Sequence, residues 1–166
     1  DEIPTHGGSL RIYAKHTEDS SKEIRANVAR LLEKENKAGV STLEYYKGYQ
    51  EKIENIKYNT WSFLIEQKKL GKNVVGYGAA AKGNTLFNFC GIKGTDLINY
   101  VVDLSPHKQN KYLPGSHIPV VSEAYLKNTK PDYVIIIPWN LKSEISNQLS
   151  YIRDWGGKFV IFVPET

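Results

Sequence analysis

The sequence predicts an α/β domain built on a doubly wound, mainly parallel sheet of about five strands over residues 73–163, preceded by one strand and two helices. Three observations carry this expectation. Short apolar runs at 73–78, 97–103, 132–138 and 158–163 alternate with segments of helical period. Two stretches within them, 74–75 and 134–137, are apolar without interruption, as strands buried on both faces are. The first run passes through a glycine-rich turn straight into a helix, as the opening unit of an open α/β sheet does.

Residues 8–16 predict the first strand, because Leu10, Ile12 and Ala14 alternate with Arg11, Tyr13 and Lys15. Ser20 and Glu23 have the spacing of a capping box and predict a helix start. Ile24, Val28, Leu31 and Leu32 then share one helical face, and Gly39 is the expected stop. A second box, Ser41 with Glu44, predicts a longer helix carrying Tyr46, Tyr49, Ile53, Ile56 and Phe63, which runs to about Leu70 before Gly71. Some thirty residues would span about 45 Å, more than a small sheet needs for cover, so this helix is expected to bridge two bodies or form a packing seam. Between the strands, helices fit at 82–90, 122–128 and 141–154, and a short strand fits near 117–121. In the last helix Leu141, Ile145, Leu149 and Ile152 share a face, and Gly156 and Gly157 end it. The expected divisions are an N-terminal strand (1–17), a helical segment (18–71) and the sheet domain (72–166).

Composition narrows the function. Of 166 residues, 40% are apolar and 24% charged, which excludes a disordered chain. The single cysteine, Cys90, excludes an internal disulfide framework and a multi-cysteine zinc site, and no metal site is expected. Its setting, FNFCG, predicts a buried, inert thiol. No apolar run reaches the ~18–20 residues of a membrane span, and no signal-peptide pattern opens the sequence, so a cytoplasmic setting without membrane contact is expected. The net charge of +4 divides evenly: residues 1–72 carry 13 Lys/Arg against 11 Asp/Glu, and residues 73–166 carry 9 against 7. No nucleic-acid face follows from that balance. Methionine is absent, so the sequence is expected to be part of a longer protein.

The chemistry concentrates in three loops. In GYGAAAKGNT, residues 76–85, Gly76, Gly78 and Ala81 fit the G-x-G-x-x-G/A pattern of a Rossmann-like fold. Glycine lets the chain turn sharply and a phosphate approach, and free N–H groups at the helix start attract an anion. Gly78, Ala79, Ala80, Lys82, Gly83, Asn84 and Thr85 are therefore candidate phosphate-binding residues, with Asp103 a candidate for a ribose hydroxyl. The other reading of Gly78 is a tight strand-to-helix turn and nothing more. The second loop, 103–120, brings Ser105, His107, Lys108, Asn110 and Lys111 to the carboxyl edge of a strand, where open sheets bind ligands. The third places Trp139 and Asn140 on the same edge. Trp139 could stack on a ring or simply pack, and Asn140 could hydrogen-bond a ligand or cap the next helix; both are candidate substrate-binding residues. His6, flanked by Gly7, Gly8 and Ser9, is the one candidate for a catalytic base.

On these residues the sequence resembles the C-terminal domain of SAM-dependent sugar C-methyltransferases. The resemblance runs through THGGSLRIYAKH, GYGAAAKGNTLFNFCGI, VVDLSPHKQNKYLPGSHIPV and PDYVIIIPWNLKSEI, almost the whole chain. It implies methylation of a carbon on a dTDP-keto-deoxysugar, with this domain holding the nucleotide sugar. It further implies preceding zinc and SAM-binding domains, with SAM and a structural zinc bound there and no cofactor bound here. The Tyr-x-Glu-His motif that the family carries near its base is not in this sequence. The chain alone is therefore expected to be inactive, and residues 8–15 to belong to the sheet of the SAM domain. Two alternatives stay open: an NAD(P)-dependent oxidoreductase domain, and a non-catalytic nucleotide-binding or interaction module with a tyrosine-rich face (Tyr45, Tyr46, Tyr49, Tyr58).

Overall fold

The chain divides into two units. The computed structural model describes residues 1–164, apart from the side chain of His6, so the candidate base lies outside the described residues. One unit is Asp1–Lys52 and the other Ile53–Thr166.

In the N-terminal unit, β1 (Glu2–Ile3) pairs antiparallel with β2 (Ser9–Leu10). The strand expected over 8–16 is thus only its first pair. Beyond Leu10 no strand among the described residues pairs with the chain to satisfy the alternation, and Ile12 and Tyr13 stand exposed. The helix α1 (Ala26–Ala38) starts later than the first capping box predicts. Ser21 supplies the reason, because its backbone N–H donates to Asp19 Oδ1 (2.9 Å) and this local turn competes with a helix start. The expected stop is present: Gly39 takes φ 79, and its N–H and that of Val40 both donate to the Glu35 carbonyl. The second box nucleates only a 3-10 turn, Leu43–Tyr46. Gly48, at φ 75, interrupts the chain there, and α2 (Tyr49–Lys69) follows. The helix has 21 residues, roughly 31 Å, so the expected 45 Å element is shorter by more than two turns.

The C-terminal unit is built on a sheet of six strands: β3 (Val74–Tyr77), β4 (Val101–Val102), β5 (Lys111–Tyr112), β6 (Pro119–Val121), β7 (Tyr133–Ile136) and β8 (Lys158–Val160). Their order is β5-β6-β4-β3-β7-β8, with every pair parallel except β5 with β6. The helices α3 (Ala81–Phe89), α4 (Glu123–Thr129) and α5 (Lys142–Gln148) connect them. The doubly wound expectation is met, with one strand more than expected. The addition, β5, is two exposed residues pairing back on β6, too short to show a period. The last expected helix divides into α5 and a 3-10 segment, Ser150–Trp155, stopped by Gly156.

Two cores sandwich the sheet. Val74, Ile135 and Val101 face a layer with Leu64, Phe87 and Ile98, and Val75, Val134 and Val102 face Leu126, Ile145, Leu149 and Ile152. Each large side chain buried in this way stabilises the fold by roughly 1.5–3 kcal/mol. This burial positions the loops. The chain winds from β3 through β4 to β6 in one direction and continues through β7 to β8 in the other. The carboxyl ends of β3 and β7 therefore meet at the switch point, where open α/β sheets hold ligands.

Candidate functional site

Three glycines bring the β3 and β7 loops into contact. Gly76 lies inside β3, where a Cβ would come within 2.8 Å of Ile137 Cδ1. Gly78, at φ 89, would put a Cβ 2.7 Å from Pro138 Cδ. Gly83, in the first turn of α3, would put one 1.7 Å from Ile137 Cγ2. The close helix–strand packing that the fingerprint gives to its third glycine is thus supplied by Gly83, two residues after Ala81. Steric fit to β7 is sufficient reason for all three glycines.

Asp103 fastens the loop from the other side. The Ala79 N–H donates to Asp103 Oδ2 (2.8 Å), and the Ser105 N–H donates to Oδ1 (2.9 Å). Lys108 Nζ donates to Oδ2 (3.1 Å) and to the Ala79 carbonyl (3.0 Å). Gln109, not anticipated from the sequence, donates its amide to the Asp103 carbonyl (2.9 Å). Asp103 is nearly buried, so these charge-assisted bonds stand in for water. Both oxygens that a ribose hydroxyl would use already accept hydrogen bonds from the protein.

Lys82 opens a second cluster across the switch point. Its ammonium donates to Asn140 Oδ1 and lies 4.9 Å from the centre of the Trp139 ring. Asn140 is not a helix cap: α5 begins after Leu141 with no side-chain cap, and the amide oxygen faces Lys82 instead. The N-cap of α3 is Ala80, which has no side chain to offer, so the N–H groups of Ala81 and Lys82 have no protein acceptor among the described residues. The first turn of α3 thus carries two free donors and a cation, and that cation lies against an aromatic face from the loop after β7.

The remaining candidates divide. The Asn84 amide oxygen is buried with no hydrogen-bond partner among the described residues. Thr85 Oγ1 turns back to donate to the Ala81 carbonyl (3.1 Å), an intrahelical bond. His107 and Lys111 stand exposed, the latter in β5, and Asn110 takes φ 60 on the surface. Behind the edge, Tyr77 accepts a hydrogen bond from the Gln148 amide (3.0 Å). Burial pushes its hydroxyl up to about 12, and the negative charges of Glu123 and Asp103 add to the shift. Tyr77 shares its face of the sheet with Val75, and nothing in the sequence singles it out. No sequence signal marks Gln148. Cys90 is buried and its thiol is raised by burial, in line with the inert thiol expected.

Among the described residues, no group of three or more His, Cys, Asp or Glu could hold a metal ion. No helix among them is long and apolar enough to cross a membrane. Two open hollows share Trp61 and Ile65 of α2, one extending along the helix to Tyr58 and Lys69 and the other to Gly91 and Leu97, and neither is lined by residues of these three loops.

Residues 4–164 match the family described as C-methyltransferase C-terminal domain. The chain is 32% identical over 160 residues to C-methyltransferase NovU of Streptomyces niveus. That alignment takes in 96% of the chain but 38% of NovU, so the chain spans well under half of this relative's length.

Proposed function

The chain belongs to the C-methyltransferase C-terminal domain family, and from that premise we propose that residues 72–166 position a nucleotide sugar, a dTDP-keto-deoxysugar, for a SAM-dependent C-methyltransferase. One observation carries this reading: Lys82, in the first turn of α3, holds its ammonium against Trp139 and Asn140 at the switch point, and the same turn opens with two N–H groups that have no protein acceptor among the described residues.

A diphosphate entering there would replace Asn140 as the partner of Lys82 and accept from Ala81 and Lys82 N–H. Releasing the ammonium frees the Trp139 ring to stack on the sugar or base. Asp103, through its bond to Ala79, holds the loop so that its donors stay aimed, which is orientation rather than chemistry. A nicotinamide dinucleotide would ask Asp103 for a ribose contact, and its occupied oxygens favour the nucleotide sugar.

In this reading the proton next to the sugar's ketone leaves to a base outside this unit, and the enolate formed is the nucleophile. SAM supplies the methyl group, bound in a preceding part of the polypeptide that also carries a structural zinc. The intact enzyme works in the cytoplasm, and the 166-residue chain alone binds without turnover.

The test is a crystal of the chain soaked with dTDP. The expected result is a diphosphate on the N–H groups of Ala81 and Lys82 with the ammonium turned from Asn140. A diphosphate bound elsewhere, or none with the crevice open to solvent, would overturn the proposal.

A further inference from the structure

The N-terminal unit has no core. Among the described residues, the 23 buried apolar side chains all fall at Leu64 or later, and none falls in Asp1–Lys52. What ties this unit together is exposed and polar. Lys34 reaches Glu2 (2.6 Å), Asn27 Nδ2 donates to Asp1 Oδ1 (3.3 Å), and the Arg25 guanidinium lies 5.5 Å from the Tyr13 ring centre.

Yet α1 is patterned for burial. Val28 and Leu32 share its apolar face with Leu31, and they are 49% and 54% exposed, while Ile24, ahead of the extended N-cap Arg25, is 77% exposed. A helix of 13 residues is marginal in water unless such a face is packed. Ile12, 77% exposed in the segment after β2, adds to the uncovered apolar surface of the unit.

We propose that the α1 face formed by Val28, Leu31 and Leu32 is a docking surface for the part of the same polypeptide that precedes this domain. Three considerations select that occupant. The family is described as a C-terminal domain, and the match covers only 38% of NovU, so in such a protein most of the polypeptide lies ahead of this domain. The N-terminal unit is what that polypeptide runs into first. A tethered partner also acts at a millimolar effective concentration, which a second free copy does not reach. The inference rests on the preceding segment proposed above, and it does not depend on what the switch point binds.

Hydrogen exchange on two proteins tests it: the 166-residue chain, and the full polypeptide encoded by its gene. The α1 amides are expected to exchange rapidly in the first and at least a hundredfold more slowly in the second. In the full polypeptide, V28D/L32D is expected to remove that protection while β3 and β7 stay protected and dTDP binding is unchanged. Glu33→Gln, off the apolar face, serves as the control and is expected to keep α1 protected. Protection already present in the 166-residue chain at low concentration would overturn the proposal. So would protection that grows with its concentration, which would mean a second copy, or an unprotected α1 in the full polypeptide. A gene encoding nothing ahead of these residues would overturn it as well. Should V28D/L32D not fold, Leu32→Ser in the same measurement is expected to lower the α1 protection selectively, and undiminished protection would count against the surface.

Discussion

Val28 and Ile135 are both β-branched aliphatic residues in regular elements, yet one stands half exposed and the other is 2% exposed. The first belongs to a unit fastened by surface ion pairs, the second to a sheet with a core on each face. Exposed ion pairs contribute little, because water solvates the partners nearly as well apart. The contrast teaches that an apolar pattern states a need for cover without naming what supplies the cover. In the C-terminal unit the chain supplies it. In the N-terminal unit the described residues do not.

Two substitutions would break the contrast if it is misdrawn. Ile135→Ala should destabilise the 166-residue chain by about 2–5 kcal/mol, since it opens a cavity against both neighbouring strands. Val28→Ala should stay within about 0.5 kcal/mol, because it removes nothing packed. Urea denaturation followed by circular dichroism measures both, and equal costs would abolish the distinction.

Within the C-terminal unit, Gly83→Ala sharpens the account of the glycine loop. The added Cβ meets Ile137 Cγ2, so the expected cost is about 1–3 kcal/mol. Combining it with Ile137→Ala, which removes the clashing atom, should cost less than the sum of the two single changes. Strict additivity would mean that Gly83 is not there for packing.

These contacts also show what the sequence could and could not disclose. Strand–helix alternation, the buried runs at 74–75 and 134–137 and the stops at Gly39, Gly71 and Gly156 were legible because burial and left-handed turns leave residue-level marks. The capping boxes misled because each records one local preference. Asp19 outcompetes one through Ser21, and Gly48 cuts the other short. At the site, Lys82 was legible from its place after a glycine turn. Its approach to Asn140, 58 residues away, was not, and neither were the donors that meet on Asp103. Such pairings are set by the sheet order, which no local pattern records.

Lys82→Ala addresses binding rather than stability. It should weaken dTDP by about 1–3 kcal/mol, the range for a hydrogen bond to a charged group, while leaving the urea midpoint in place. A lower midpoint with unchanged affinity would make Lys82 a structural residue.

The smallest effect expected is in alkaline solution. Burial, first among the causes, raises the Tyr77 hydroxyl to about 12, and it raises Tyr100 as well. The folded state favours the neutral phenol, so this contribution is complete below pH 10, the ordinary tyrosine value, and is lost as pH rises toward 12. Stability should fall across that window, and Tyr77→Phe should flatten the fall. A flat profile in the parent chain would contradict the burial of these hydroxyls.

The account stands most directly on a calorimetric titration of the 166-residue chain with dTDP and, separately, NADH. Heat and saturation with dTDP, and none with NADH, is the predicted result. Saturable NADH binding without dTDP binding would contradict it.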